Sequence, residues 1–156
     1  MARRGEFELT TALSAEPETV WSRATSAEGI NDEMRPWFRM TVPRGLDALD
    51  IDSVEPGRIG RSWILLFGVL PVDYDDLGLE RIDRGRSFLE RSTMLTQQVW
   101  EHERTIEAAP GGCTVTDRIS WEPRLPLPGT ALRPLFGAFF RHRHRRLLRH
   151  FGSASV

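Results

Sequence analysis

The chain of 156 residues contains a single cysteine, Cys113, and no apolar stretch long enough to cross a bilayer. One cysteine excludes a disulfide within the chain and favours a reducing compartment. The longest apolar run, Trp63 to Phe67 with its neighbours, is far shorter than the ~20 residues of a spanning helix, so we expect no stable membrane insertion. The basic start of the chain lacks the apolar segment of a secretory signal, and we therefore expect a cytoplasmic protein.

Lysine is also absent, since all 21 basic residues are arginine. Arginine codons are mostly GC-rich, so we interpret this absence as genome composition and expect a bacterial source. The hydrophobic fraction of 40% and the formal net charge of −1 are those of an ordinary globular protein. A length of 156 residues fits one domain, predicted over residues 1–156.

Motifs for metals, phosphate groups and nucleic acids are missing as well. His142 and His144 are two residues apart, which points them to different faces of a helix. Asp73–Asp76 lacks the glycine-bent loop of a calcium site, and there is no glycine-rich phosphate loop. The basic run Arg141–Arg146 is interpreted as a solvated helix end. We expect no metal, no cofactor and no nucleic-acid partner.

The order of the predicted elements defines the fold class. Apolar alternation predicts an opening strand, Glu6–Leu13, and two short helices follow, one beginning at Pro17 and one capped by Ser26 and ending near Asn31. Turn signals then separate a run of strands whose short connections require antiparallel pairing. Ala131–Phe151 is predicted as a long helix closed by Gly152. The predicted strands of the run are Arg58–Phe67, Val72–Ile82, Ser87–Thr96, Gln98–Ala108 and Cys113–Trp121.

A sheet of this kind must bury one face, and the long terminal helix is the only large element left to cover it. The sequence therefore predicts an α+β helix-grip fold, in which a curved antiparallel sheet wraps around the C-terminal helix. The space between the sheet and the helix is where a ligand site is expected.

Several segments resemble the START-like, polyketide-cyclase-like superfamily (SRPBCC, helix-grip), which includes the birch-pollen-allergen type of fold. The similarity begins with the opening strand and Ala15–Trp21 and extends over nearly the whole chain. It implies a helix-grip ligand-binding domain, but the superfamily hosts carriers, sensors and cyclases, so it implies little about activity. The other similar segments are Leu65–Val72, Phe88–Arg91, Trp100–Arg104, Thr116–Ser120 and Phe140–Leu147.

Residues two apart on a strand share a face, and this parity predicts an inward set on each strand. Glu90, His102, Arg104 and Asp117 then all face the concave side. Such groups could orient a ligand or move a proton, with His102 tuned by Asp117, or they could form a structural network tied together by Arg104. The predicted inward sets are Phe88, Glu90, Ser92, Met94; Trp100, His102, Arg104, Ile106; Val115, Asp117, Ile119, Trp121; and Trp63, Leu65, Phe67.

The leading functional hypothesis is binding of a small hydrophobic molecule, such as a polyketide-like aromatic, a lipid or an isoprenoid. Two alternatives stay open: a cofactor-independent cyclase or dehydratase using His102 with Asp117 and Glu90, or a protein-interaction module without a ligand. The sequence leaves the oligomeric state open. The predicted ligand-binding residues are Trp37, Phe67, Tyr74, Trp100, Arg104, Phe136, Phe139 and Phe140.

Overall fold

The computed structural model describes residues 3–154, so the ends of the predicted domain 1–156 lie outside the described residues. Within this range one seven-stranded antiparallel sheet has the order β1-β7-β6-β5-β4-β3-β2. Two short 3-10 helices, Ile51–Ser53 and Gly129–Leu132, lie between larger elements. The strands are β1 (Gly5–Leu13), β2 (Phe38–Met40), β3 (Gly57–Leu66), β4 (Leu70–Asp83), β5 (Ser87–Met94), β6 (Gln97–Ala109) and β7 (Gly112–Pro123), and the helices are α1 (Pro17–Ala24), α2 (Ala27–Met34) and α3 (Arg133–Phe151).

The two short helices begin where the sequence signals them. Pro17 occupies the first turn of α1, and the Ser26 hydroxyl accepts a hydrogen bond of 3.1 Å from the Gly29 amide at the start of α2. Helix α2 runs to Met34, beyond its predicted end, because that side chain is buried in the core. It stops there because Arg35 precedes Pro36 and is forced out of the helical region.

Glycines set two of the hairpin connections. Gly85 joins β4 to β5 with a φ of 83°, a left-handed conformation that L side chains rarely adopt. Gly112 opens β7 against β1, where a Cβ atom would contact the Leu13 carbonyl oxygen. Short connections of this kind place consecutive strands side by side in antiparallel pairs, as predicted.

The sheet curves because several of its ladders contain bulges. Register shifts interrupt β3–β4, β4–β5 and β6–β7, and each bulge bends the strand and increases its twist. The predicted inward sets of β5, β6 and β7 are confirmed, since every member is buried.

The inward set predicted for β3 is wrong for Trp63 and Phe67, whereas Leu65 is buried as predicted. Trp63 is 42% exposed on the outer face, where it packs against Tyr74 at 5.6 Å between ring centroids. Ser62 is buried and Ile64 faces the interior instead. Phe67 is 61% exposed because it lies in the turn after the strand, with a φ of 53°. Bulges on either side of the segment shift its parity from the simple alternation.

Helix α3 lies across the concave face of the sheet, as predicted. Its Phe140 ring contacts the rings of Trp100 and His102 on β6, at 6.3 Å and 5.1 Å between centroids. Gly152 ends the helix by donating its amide to the Leu148 carbonyl at 2.8 Å. No helix in residues 3–154 combines the length and the apolar character needed to span a membrane.

Candidate ligand cavity and buried polar network

A cavity of about 430 Å³ lies between the concave face of the sheet, helices α1 and α2, and α3. Its wall is mostly aliphatic and aromatic, so a ligand bound inside it would make mainly apolar contacts. The apolar side chains of the wall include Ile30, Met34, Phe38, Leu49, Ile51, Ile64, Leu77, Phe88, Met94, Trp100, Leu132, Phe136 and Phe139.

Polar side chains break this wall on β4, β5 and β6. Asp75, Glu90, Gln97 and His102 all line the cavity, and each is at most 8% exposed. Burial raises the pKa of Asp75 well above its usual range, and the adjacent Glu90 carboxylate raises it further. Burial and the neighbouring acid therefore both favour the protonated form of Asp75.

Asp117 on β7 lies behind the wall, where it is fully buried. Its Oδ1 accepts from His102 Nε2 at 2.7 Å and from Arg104 Nε at 2.8 Å. Its Oδ2 accepts from Arg104 Nη2 and from His144 Nε2, both at 2.7 Å. Four donors fill the four lone-pair sites of the carboxylate. Burial opposes the charge, but Arg104 and His102 outweigh it and hold the pKa of Asp117 well below its usual range.

Glu33 on α2 joins the same network from the helical side. Arg104 donates to both of its carboxylate oxygens at 2.8 Å, and Arg143 Nε donates to Oε1 at 3.1 Å. Burial opposes the charge of Glu33, but the two guanidinium groups lower its pKa overall. Two arginines thus balance two carboxylates, so this buried group carries no net charge while its imidazoles are neutral.

The network fixes the orientation of the His102 ring. Because the Asp117 carboxylate can only accept, the proton of a neutral His102 resides on Nε2. Nδ1 is then left as an acceptor, 3.8 Å from Glu90 Oε2 and too far for a direct hydrogen bond. His102 lines the cavity, so this nitrogen is a candidate base on that wall.

The interpretation of Arg141–Arg146 as a solvated helix end is wrong for its middle residues. Arg143 is 8% exposed and His144 is 2% exposed, and both belong to the network with Glu33 and Asp117. The His144 ring also contacts the Thr11 hydroxyl on β1 at 2.7 Å. Only one face of the helix is solvated, and Arg145 lies on it.

The predicted site residues fall into three groups. Glu90, Trp100, His102, Phe136 and Phe139 line the cavity. Arg104, Asp117 and Phe140 are fully buried behind the wall, where they position other side chains. The last group lies away from the cavity: Trp37 and Phe67 are exposed, and Tyr74 is on the outer face under the Arg61 guanidinium.

Sequence reasoning missed Glu33, Asp75, Gln97, Arg143 and His144. The last two had a detectable signal, because the apolar stripe of α3 through Phe136, Phe140 and Leu147 passes over positions 143 and 144. Glu33 gave no such signal, since its partners are 71 and 110 residues away in sequence.

A curved antiparallel sheet that grips a C-terminal helix around an apolar cavity defines a START-like, helix-grip fold. The chain belongs to the family described as Domain of unknown function (DUF8410), whose model matches residues 11–151. No curated protein sequence matches the chain.

Similar solved structures share the fold at low sequence identity. Protein CV1439 from Chromobacterium violaceum has a TM-score of 0.73 at 13% identity, with 94% of this chain and 96% of that chain covered. A START superfamily protein from Mycobacterium smegmatis has a TM-score of 0.66 at 15% identity, covering 95% and 96%. Ara h 8.0201 has a TM-score of 0.62 at 13% identity, covering 94% and 99%.

Within residues 3–154, no three or more His, Cys, Asp or Glu side chains are grouped so that they could hold a metal ion.

Proposed function

We propose that this protein binds a small hydrophobic molecule in the cavity between the sheet and α3. The observation that carries the proposal is the cavity itself, whose volume of about 430 Å³ falls in the range of known ligand sites. An aromatic polyketide, a lipid or an isoprenoid would match the apolar wall. A protein-interaction module has no need of such a space, so the cavity disfavours that alternative.

The test is a thermal-shift screen with a panel of lipophilic compounds, together with native mass spectrometry of the freshly purified protein. We expect a bound small molecule, or a rise in melting temperature with at least one apolar compound. Ile64→Trp inserts an indole into the cavity and should abolish the shift. Val69→Trp adds the same ring at an exposed turn position, 78% accessible, and should leave the shift intact. Equal responses of the two variants would contradict binding in this cavity.

His102 supports a second candidate, a cofactor-independent cyclase or dehydratase. Its Nδ1 lies 3.8 Å from Glu90, another residue of the cavity wall, while Asp117 holds Nε2, an arrangement that suits a general base. However, Asp117 is shared with Arg104 and His144, which leaves less of its charge to stabilise an imidazolium. For this reason we favour the carrier.

The two candidates respond differently to His102→Gln. A carrier should lose only what one neutral hydrogen bond contributes, about 0.5–1.5 kcal/mol of binding free energy. An enzyme should keep most of its affinity and lose about 10²–10⁴-fold in turnover. Titration calorimetry with a ligand found in the screen, followed by product analysis of the same mixture, separates these outcomes.

A further inference from the structure

Two buried side-chain oxygen atoms of residues that line the cavity lack a hydrogen-bond partner among the described residues. They are Asp75 Oδ1 and Gln97 Oε1, on side chains that are 4% and 3% exposed. Each atom left unpaired costs the free energy of removing it from water without a replacement partner. A ligand that places a donor at these atoms would recover that cost.

The orientation of the Gln97 amide follows from its neighbours. The Thr96 hydroxyl donates to an Asp73 carboxylate oxygen, which can only accept. Thr96 Oγ1 is therefore available as an acceptor, and the Gln97 Nε2 group donates to it at 3.3 Å. The remaining atom of the amide, Oε1, is an acceptor.

Asp75 provides the second unpaired oxygen. Ser92 donates to Glu90 Oε1 at 3.0 Å, whereas Asp75 Oδ1 has no partner among the described residues. A carboxyl oxygen can accept a hydrogen bond from a donor on a ligand. Glu90 and the half-buried Asp73 are further acidic side chains on this wall.

Arg143 is the one arginine among the described wall residues, and its charge is already matched. Its Nε donates to Glu33, and its guanidinium lies 5.1 Å from the centre of the Phe140 ring. The excess charge that faces the cavity is therefore negative, on the β4 and β5 side.

We infer that the ligand is an apolar molecule carrying a hydrogen-bond donor, such as a phenolic or alcoholic hydroxyl, which Asp75 Oδ1 and Gln97 Oε1 accept, and that molecules ending in a carboxylate are excluded. This inference rests on the proposed binding function and specifies its substrate class. Fatty acids and other apolar carboxylates are then rejected even though their hydrocarbon parts fit the wall.

Three probes that share one ring system test the inference by titration calorimetry at pH 7: 2-naphthol, 2-methoxynaphthalene and 2-naphthoate. We expect 2-naphthol to bind about 2- to 12-fold more tightly than the methyl ether, the factor that one neutral hydrogen bond supplies. The naphthoate should bind most weakly of the three. If the naphthoate binds as tightly as the naphthol, or the ether matches the naphthol, the inference is wrong and the proposed function stands. If none of the three probes binds, the inference fails, and the panel screen decides the proposed function separately.

Variants assign the effect to the two atoms. Asp75→Leu and Gln97→Leu each remove an acceptor and should bring the naphthol-to-ether ratio toward one. Asp75→Asn keeps an acceptor oxygen and should keep the preference, as should Val69→Trp, a change at an exposed turn position outside the cavity lining. If Asp75→Leu does not fold, Gln97→Leu alone provides the test. The assignment would be wrong if Gln97→Leu, and Asp75→Leu where it folds, both kept the full naphthol-to-ether preference.

Discussion

Arg104→Met should destabilise the protein strongly, because Arg104 supplies most of the hydrogen bonds of the buried network. It donates two bonds to Asp117 and two to Glu33. Without it Asp117 keeps only the two histidine donors, and Glu33 keeps only Arg143. Removal of one partner from a buried ion pair costs about 3–5 kcal/mol. That is a large fraction of the 5–15 kcal/mol that stabilises a typical domain.

The loss should depend on pH in a defined direction. In the native protein the pKa values of Glu33 and Asp117 lie below their usual values of 4.5 and 3.8. The two carboxylates therefore contribute to the free energy of unfolding above pH 4.5, and this contribution is lost as the pH falls through their lowered pKa values. In the variant, burial without Arg104 favours the protonated carboxyls, so its stability should fall as the pH rises from about 4. The difference between the two proteins should shrink between pH 7 and pH 4.

Urea denaturation followed by tryptophan fluorescence at several pH values measures this difference. Arg81→Met is a matched control, since Arg81 pairs with Glu103 at 2.6 Å on the outer face with half of its side chain exposed. Its cost should stay within about 1 kcal/mol and should vary little with pH. An Arg104→Met cost below 1 kcal/mol, or one that is flat with pH, would refute the electrostatic account of the network.

Three further predictions concern single side chains. Trp100→Ala should lower the free energy of unfolding by about 3 kcal/mol, the lower end of the range for a buried aromatic, because the indole already borders the cavity. The control Arg145→Ala, at an exposed position, should change it by no more than about 0.5 kcal/mol. Similar losses of the two variants in chemical denaturation would contradict the placement of Trp100 in the core. Asp75→Asn should become more stable relative to wild type as the pH rises above 3.8, by at most about 1.4 kcal/mol per pH unit, because the raised pKa of Asp75 makes its ionisation oppose folding. Parallel stability curves would contradict a raised pKa for Asp75. Cys113 should resist a thiol reagent in the native protein at pH 8, since it is buried and burial raises the pKa of its thiol. Labelling as fast as in urea would show that the start of β7 is accessible to solvent.

The strand pattern was predictable where a strand runs between two tight turns without a bulge in its middle. Parity then places Trp100, His102 and Arg104 correctly, because the side-chain period of two is maintained along the segment. It failed on β3, where Trp63 packs on the outer face with Tyr74. An outward-facing aromatic pair looks the same in sequence as an inward-facing one, and the bulges that decide between them leave no reliable mark.

The polar network was predictable only in part. The strand residues His102 and Asp117 could be paired in advance because β6 and β7 are a hairpin with a definable register. The partners from α2 and α3 could not be predicted in this way, because helix docking is set by the packing of whole faces. Arg143 also lies in a basic run whose composition is typical of a solvated surface, although its neighbours on the helix stripe are apolar.

The buried network around Arg104 and the polar groups of the cavity wall differ in how completely they are hydrogen-bonded. This difference indicates a structural role for the first set and a role in ligand recognition for the second. The group around Arg104 is neutral overall and each of its carboxylate oxygens accepts at least one hydrogen bond, which is the condition under which buried charges are tolerated. The groups on the cavity wall carry net negative charge, and Asp75 and Gln97 leave acceptors unpaired. Folding alone gains nothing from unpaired acceptors, because an apolar side chain of similar size would fill either position at lower cost. A bound donor would remove that penalty, so the least satisfied part of the wall is where ligand selection should be sought.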